Sequence, residues 1–394
     1  MPSRSLRAAG WMVAILLLLS GCASNTVRTT SATPILSGDP SMPEDQLLDV
    51  GVRLFDPGLE HIEEEEDITT RPEIREAEAR YFPSQLVDTL QRTGHWGAVR
   101  IVPRNTGFTD VVVEGTIIES NGEKLVLEIK AGDSSGREWY VRRYEGLASK
   151  YSYQGTRPTS EPFQDVYNRI ANDLAVYRGR FSEAAIRELR TISELRFAES
   201  FSREAFGGFL KQNEDGEYQI ARLPAEGDPM LQRIRTIRER DYLFVDTLQD
   251  YYTDFSRRMG GPYQEWRRQS FEETIAYRQL RNESTTRTVA GVAAILAGIA
   301  AAGSDNGSTR AAGTVGILGG AALIKSGFDK RTESEMHAEA MREIGGSLDA
   351  EITPQVIDLQ DQTVTLSGTV DDQYGQWRQI LKGIYAQETG SIQD

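Results

Sequence analysis

Val111-Val112-Val113-Glu114-Gly115-Thr116-Ile117-Ile118 leads into Asn121-Gly122, and beyond that pair Leu125, Leu127 and Ile129 alternate with polar residues. Period-two patterning on both sides of Asn-Gly is the signature of an antiparallel hairpin. Gly132-Asp133-Ser134-Ser135-Gly136 turns the chain again into Trp139-Tyr140-Val141 and Tyr144, which extends the hairpin to a meander. Working back towards the amino terminus, Val50-Gly51-Val52-Arg53-Leu54-Phe55 reads as a buried strand stopped by Asp56-Pro57-Gly58. The run Glu63-Glu64-Glu65-Glu66-Asp67 reads as a solvated loop, because consecutive carboxylates repel and diverge. Residues Glu73 to Thr93 have helical spacing (Ala77, Phe82, Leu86, Leu90), with Pro83 marking a kink or restart. Gly94 to Gly97 then turn into Val99-Arg100-Ile101-Val102-Pro103. Strand, helix, strand and meander predict a compact α+β sandwich over residues 47–155.

Working forward, residues 160–285 predict a helical domain. Pro162 suits a first turn, and Phe163, Val166, Tyr167, Ile170 and Leu174 form one apolar stripe. Ser182 can cap a helix from Glu183 to Ala198. After a break at Tyr218-Gln219-Ile220, Pro229 to Met259 carries the stripe Leu231, Ile234, Ile237, Tyr242, Val245, Leu248 and Tyr252, whose aromatic members read as core. A further amphipathic helix begins at Pro262, and nothing breaks it before Thr288. Val289–Ala302 contains no charge, a polar knot follows at Gly303–Ser308, a second apolar stretch covers Ala311–Ile324, and charged helical sequence resumes at Asp329. This predicts a long glycine-rich antiparallel helical hairpin over 286–347. Small residues recur four apart, at Ala290, Ala294, Gly298 and Ala302 on one arm and at Ala312, Gly316 and Gly320 on the other, the spacing that lets helix backbones approach closely. Two readings of the tip stay open. It packs on this protein or a second copy, or it inserts in a bilayer with Arg310 in the far head group or a water-filled lumen. Each apolar arm is about 21–24 Å long at 1.5 Å per residue, short for a typical hydrocarbon core of about 30 Å.

Residues 348–394 predict a small C-terminal β element: a strand over Glu351–Leu359 interrupted by Pro354, a strand over Thr363–Val370, and a helix from Trp377 to Ala386. The second strand resembles the one in small periplasmic lipid- or partner-binding modules of the BON type. A full module would need a further helix and strand after Asp394, so the likeness is local.

At the other end, Arg4 and Arg7 precede an apolar run from Trp11 to Leu19, then Leu19-Ser20-Gly21-Cys22-Ala23. A charged head, a short apolar run and small residues are the layout of a secretory signal over 1–21, and the run is too short to span a bilayer. The stretch resembles the lipobox of bacterial lipoproteins. The resemblance implies cleavage between Gly21 and Cys22, with a diacylglycerol and an acyl chain held on Cys22, the sole cysteine. Ala23-Ser24, with no Asp after the cysteine, implies an outer-membrane destination. Residues 22–46, rich in Ser, Thr and Pro, predict a flexible tether. Without Arg4 and Arg7 the chain has 42 basic against 59 acidic side chains, a net charge of −17. That charge argues against nucleic acid as a partner.

The strand–helix–strand order of 50–55, 81–92 and 98–103 behind a lipobox is similar to the α/β domain of outer-membrane assembly lipoproteins, such as the curli-secretion channel lipoprotein and the amino-terminal domain of the Tol system's propeller protein. Those domains bind partners, so no catalytic residue is implied. His61, His95 and His337 lie in separate segments without metal-ligand spacing, and no nucleophile, nucleotide or zinc motif is present. No cofactor or metal is therefore expected. The sequence predicts a non-enzymatic, lipid-anchored, periplasm-facing scaffold or assembly factor. Its partners would be membrane lipid through Cys22 and envelope proteins or a second copy through the hairpin. One alternative is a hairpin-inserting oligomer that contributes to an envelope channel or export complex. The other is a two-carboxylate hydrolase of envelope polymers.

Overall fold

The computed structural model describes residues 32–61, 72–104, 106, 109–153, 161–301, 339, 342–343, 356–359, 362–366 and 369–389. Strands β1 (Val50–Arg53), β2 (Val99–Val102), β3 (Val111–Ser120), β4 (Lys124–Asp133) and β5 (Glu138–Leu147) form a mixed sheet in the order β2-β1-β3-β4-β5, with helix α1 (Pro72–Thr93) between β1 and β2 in the chain. Val50 pairs in parallel with Val99 on one side and Val111 on the other, and the meander β3-β4-β5 is antiparallel. The α+β class expected from the sequence holds. The strands of the meander are longer than their apolar cores, because polar residues continue the alternation on the solvated face.

Pro83 does not restart α1, which is continuous across it. A proline cannot donate to the carbonyl four residues back, here that of Ala79. Phe55 at the end of the first strand segment supplies the missing donor, its N–H lying 3.0 Å from the Ala79 oxygen. The proline thus docks the strand segment onto the helix.

Helices α2 (Gln164–Arg178), α3 (Glu183–Phe201), α4 (Arg203–Phe206) and α5 (Pro229–Ala301) follow, with a two-stranded ribbon of β6 (Leu210–Gln212) and β7 (Tyr218–Ile220) before α5. Ser182 caps α3 by accepting from the Ala185 N–H. The stripe Phe163, Val166, Tyr167, Ile170 and Leu174 is fully buried. One apolar cluster joins Ile117 and Leu127 of the sheet to Phe82 of α1, Tyr167 of α2, Ile234 and Trp266 of α5 and Trp377 beyond it. Elements from either side of residues 155–160 therefore share one apolar core.

The sequence divides the long helical segment at Gly260-Gly261-Pro262, yet α5 is one helix of 73 residues. Phe255, Met259, Tyr263 and Trp266 are buried on both sides of the proline, and neither glycine takes a positive φ. Tertiary burial outweighs the roughly 3 kcal/mol that an interior proline costs.

The tether is shorter than expected. Residues 33–42 lie as a strap along α2 and lead into a one-turn 3-10 helix at Glu44–Gln46. The N–H and hydroxyl of Thr33 both donate to Asp165, Asn168 donates to the Thr33 carbonyl, and Asn172 accepts from the Leu36 N–H and donates to the Pro34 carbonyl. Further on, Gly38 N–H donates to the Thr93 carbonyl, and Arg178 donates to that of Gln46. A segment with few apolar side chains is ordered because a helix offers it polar rungs at Asp165, Asn168 and Asn172, spaced three and four residues apart.

At the far end, β8 (Val356–Leu359) and β9 (Gln362–Thr365) form their own antiparallel pair, and α6 (Val370–Thr389) starts seven residues before Trp377. Helix α6 packs on α5 and α3. Trp377 stacks on Phe244 at 5.9 Å, the Tyr374 hydroxyl lies 3.1 Å from Asp241, and the Arg378 guanidinium covers Phe201 at 4.4 Å.

Asn172→Ala should loosen the strap while leaving the core intact. Loss of a hydrogen bond contributing about 1 kcal/mol should speed exchange of the Leu36 amide by roughly five- to tenfold. Hydrogen exchange read residue by residue checks this, and unchanged protection at Leu36 would refute the rung assignment.

Candidate functional site

Arg267 of α5 is wholly buried, and its guanidinium pairs with Glu161, which is itself buried ahead of α2. Four rings surround it: Tyr263 at 4.0 Å from the ring centroid, Phe163 at 5.1 Å, Tyr81 at 5.7 Å and Phe82 at 5.9 Å. Nε and Nη2 meet no hydrogen-bond acceptor, so aromatic faces replace oxygen as their partners. Burial opposes the charge, but Glu161 and the neighbouring tyrosines outweigh it and hold the guanidinium above its ordinary pKa. Glu161 also accepts from Tyr81 and Gln264, each at 3.1 Å.

A second buried group adjoins this one. Glu78 of α1 accepts from Ser120 at 2.6 Å and from Tyr263 at 2.5 Å. Burial nevertheless raises its carboxyl above the usual range, despite Arg75 nearby. Arg75 donates to the Ile117 carbonyl at 3.2 Å. The tip of the β3–β4 hairpin docks beside them. Asn121 holds the turn by accepting from the N–H groups of Glu123 and Lys124, Tyr153 donates to the Gly122 carbonyl, and the Gly122 N–H donates to Ser270 at 3.2 Å. A Cβ on Gly122 would come within 2.0 Å of the Arg267 carbonyl oxygen, so only glycine fits where the turn meets α5. Chemically the arrangement fastens a helix to a sheet. Its Arg267 charge is enclosed by rings and by its counter-charge, Glu161.

At the opposite end of the sheet an open cleft of about 420 Å³ is lined by Asp49, Asp110, Arg190, Glu194, Arg235 and Arg238, among others. Three of its acids are engaged: Asp49, Asp110 and Glu194. Asp49, just ahead of β1, accepts from the Ala98 N–H at 2.8 Å, and Asp110, just ahead of β3, accepts from the Asp49 N–H at 3.0 Å. Burial raises the pKa of Asp110, with Arg238 opposing. Arg238 donates to Tyr242 at 2.9 Å and to Ser193 at 2.7 Å, and Arg235 forks onto Glu194. The two aspartates join the starts of the parallel strands.

Of the residues singled out from the sequence, Ala290, Ala294 and Gly298 lie on α5, and their spacing places them on one face of it. Gly21, Cys22, Ala302, Ala312, Gly316 and Gly320 lie outside the described residues, as does the second arm of the hairpin. His61 is 3.5 Å from Glu60, while His95 lies beside Leu36 near the other end of the sheet. No group of three or more metal-binding side chains occurs among the described residues. Sequence reading missed Arg267, Glu161 and Glu78. A lone Arg on an otherwise aromatic helix face (Tyr263, Trp266) is the signal that could have pointed to the first of them.

No family model matches the chain, and no curated protein matches it. Among solved structures it is similar to protein XCC0632 from Xanthomonas campestris, assigned to DUF330, at 13% identity over 36% of this chain and 90% of that one, with a TM-score of 0.24. That score is too low to carry a fold or a role across.

Arg267→Met should destabilise the protein by about 3–5 kcal/mol by leaving Glu161 buried and unpaired, and adding Glu161→Leu should restore most of the loss. Urea unfolding of the single and double variants tests this, and additive losses would contradict it.

Burial pushes the Asp241 carboxyl from its ordinary 3.8 up to about 6, with Arg378 and Tyr374 opposing. Between those values the native state holds a proton that the unfolded chain has released, so stability falls as pH rises through the window, by up to about 3 kcal/mol from this group. Asp241→Asn, whose amide oxygen still accepts from Tyr374, should flatten that slope in urea unfolding measured at several pH values.

Proposed function

We propose that this chain is a non-enzymatic, lipid-anchored scaffold or assembly factor of the bacterial outer membrane, facing the periplasm. The observation that carries this is α5. At 1.5 Å per residue its 73 residues span about 110 Å, and its described contacts with the sheet and the other helices fall between Met230 and Phe271. A fold that fastens a helix of this length with a buried ion pair is suited to presenting it to a partner. Lipobox-like Leu19-Ser20-Gly21-Cys22-Ala23 supports the anchor, and the partner-binding α/β domains to which the first part of the sequence is similar support the class. In the cleft Asp49 and Asp110 are tied to backbone N–H groups and Glu194 to Arg235, which favours a structural over a hydrolytic reading of it. Among the described residues no helix is long and apolar enough to cross a membrane.

The anchor is tested by growing cells with labelled palmitate. The full-length protein should carry label that survives denaturation, and Cys22→Ser should abolish it. Unlabelled wild-type protein would remove the anchor from the proposal.

A further inference from the structure

The mixed sheet has two edges, and they are finished differently. At β2 the edge is closed by α5: the Ile101 N–H donates to Gln249 Oε1 at 2.7 Å, and Arg100 pairs with Asp246. At β5 no strand lies along the outer side among the described residues. The ladder with β4 decides which backbone groups of β5 are left over. Leu147 stands opposite Lys124, and the next residue, Ala148, donates to the Glu123 carbonyl at 2.7 Å. Hydrogen-bonded positions alternate along an antiparallel pair. Arg142, Tyr144 and Gly146 therefore turn their backbone groups towards β4, and Val141, Arg143, Glu145 and Leu147 turn theirs away. The Glu145 carbonyl agrees with this parity, since it accepts from the Arg169 guanidinium of α2.

Side chains alternate with the same period. Tyr144 and Gly146 are covered by α2: the Tyr144 hydroxyl lies 2.7 Å from Asp173, and a Cβ on Gly146 would come within 2.5 Å of Val166. Val141, Arg143 and Glu145 stand on the other face and are exposed, Val141 by half. On that face Arg143 lies 2.8 Å from Glu128 of β4, and Glu145 lies 3.8 Å from Lys124.

A two-fold contact between copies places residue i opposite j and j opposite i. With Tyr144 opposite Tyr144, Arg143 falls opposite Glu145 of the second copy and Val141 opposite Leu147. Each of these pairs can exchange both its N–H···O bonds, because these are the residues whose backbone groups point outward. The charges then alternate in one row across the contact: Glu128 and Arg143, followed by Glu145 and Lys124 of the second copy. Moving the axis by one residue sets Arg143 against Arg143 or Glu145 against Glu145, and like charges directly opposite oppose pairing. Charge on an exposed edge blocks association when like faces like; on β5 it is self-complementary in one register. In that register the Glu145 carbonyl accepts from the Arg143 N–H of the second copy, and Arg169 keeps its bond to Asp165 at 2.8 Å.

We propose that the outer edge of β5 is the contact between two copies of this chain, paired antiparallel about Tyr144 so that their five-stranded sheets join into one.

Charge reversal tests it in full-length protein purified in detergent, with mass read by sedimentation velocity. The unaltered protein should be a dimer. Arg143→Glu and Glu145→Arg each set like charges opposite one another at both pairs, and each should raise the dimer dissociation constant about ten- to hundredfold. Mixing the two variants should restore the dimer, because every Arg–Glu pair across the contact is again opposite in charge. Misfolded chains would not give that recovery. A monomeric unaltered protein, association that persists in both single variants, or variants that stay monomeric when mixed would each overturn the proposal.

Discussion

The Arg267–Glu161 pair, sealed between rings of α1, α2 and α5, is the contact on which the arrangement of this molecule depends. A guanidinium placed among aromatic faces has nowhere else to go, since moving the helix by one turn would leave Glu161 buried without a counter-charge. The pair therefore sets the axial position of a helix that apolar packing alone would hold less specifically. Apolar contacts along the same interface, such as Phe82 and Trp266, contribute most of the attraction but little of the register. Glu78 and the Gly122 turn add geometric demands at the same level, through Tyr263 and Ser270.

The two ends of the sheet are built differently as a result. At the strand starts, carboxylates meet backbone N–H groups and arginines around an open, solvated cleft. At the hairpin end, charges are enclosed, and both the strap and the long helix depart from there.

Much of the fold was legible because its signals are local. The alternation in Val111–Ile118, the Asn121-Gly122 turn, the stripe from Phe163 to Leu174 and the Ser182 cap each occupy one stretch of chain, and each appears where the pattern puts it. Pro83 and Pro262 were misread for one reason. A proline's local penalty is visible in the sequence, while its compensation comes from elsewhere: the Phe55 N–H in one case and buried aromatic neighbours in the other. The strap was misread in the same way, since Thr33 and Leu36 gain their partners from residues more than a hundred positions away.

By itself the sequence determined what short-range chemistry can dictate: the strand and helix periods, the turns, the acidic balance, and the lipobox-like stretch around Cys22, which tertiary contacts do not create. Only the tertiary structure decided that one core joins the sheet to the helices, that α5 is continuous, and that Arg267 meets Glu161. Those outcomes depend on which distant groups come to share a dry volume. The free energy of a buried charge or an unpaired carbonyl is set by its neighbours in space, and neighbours along the chain say little about it.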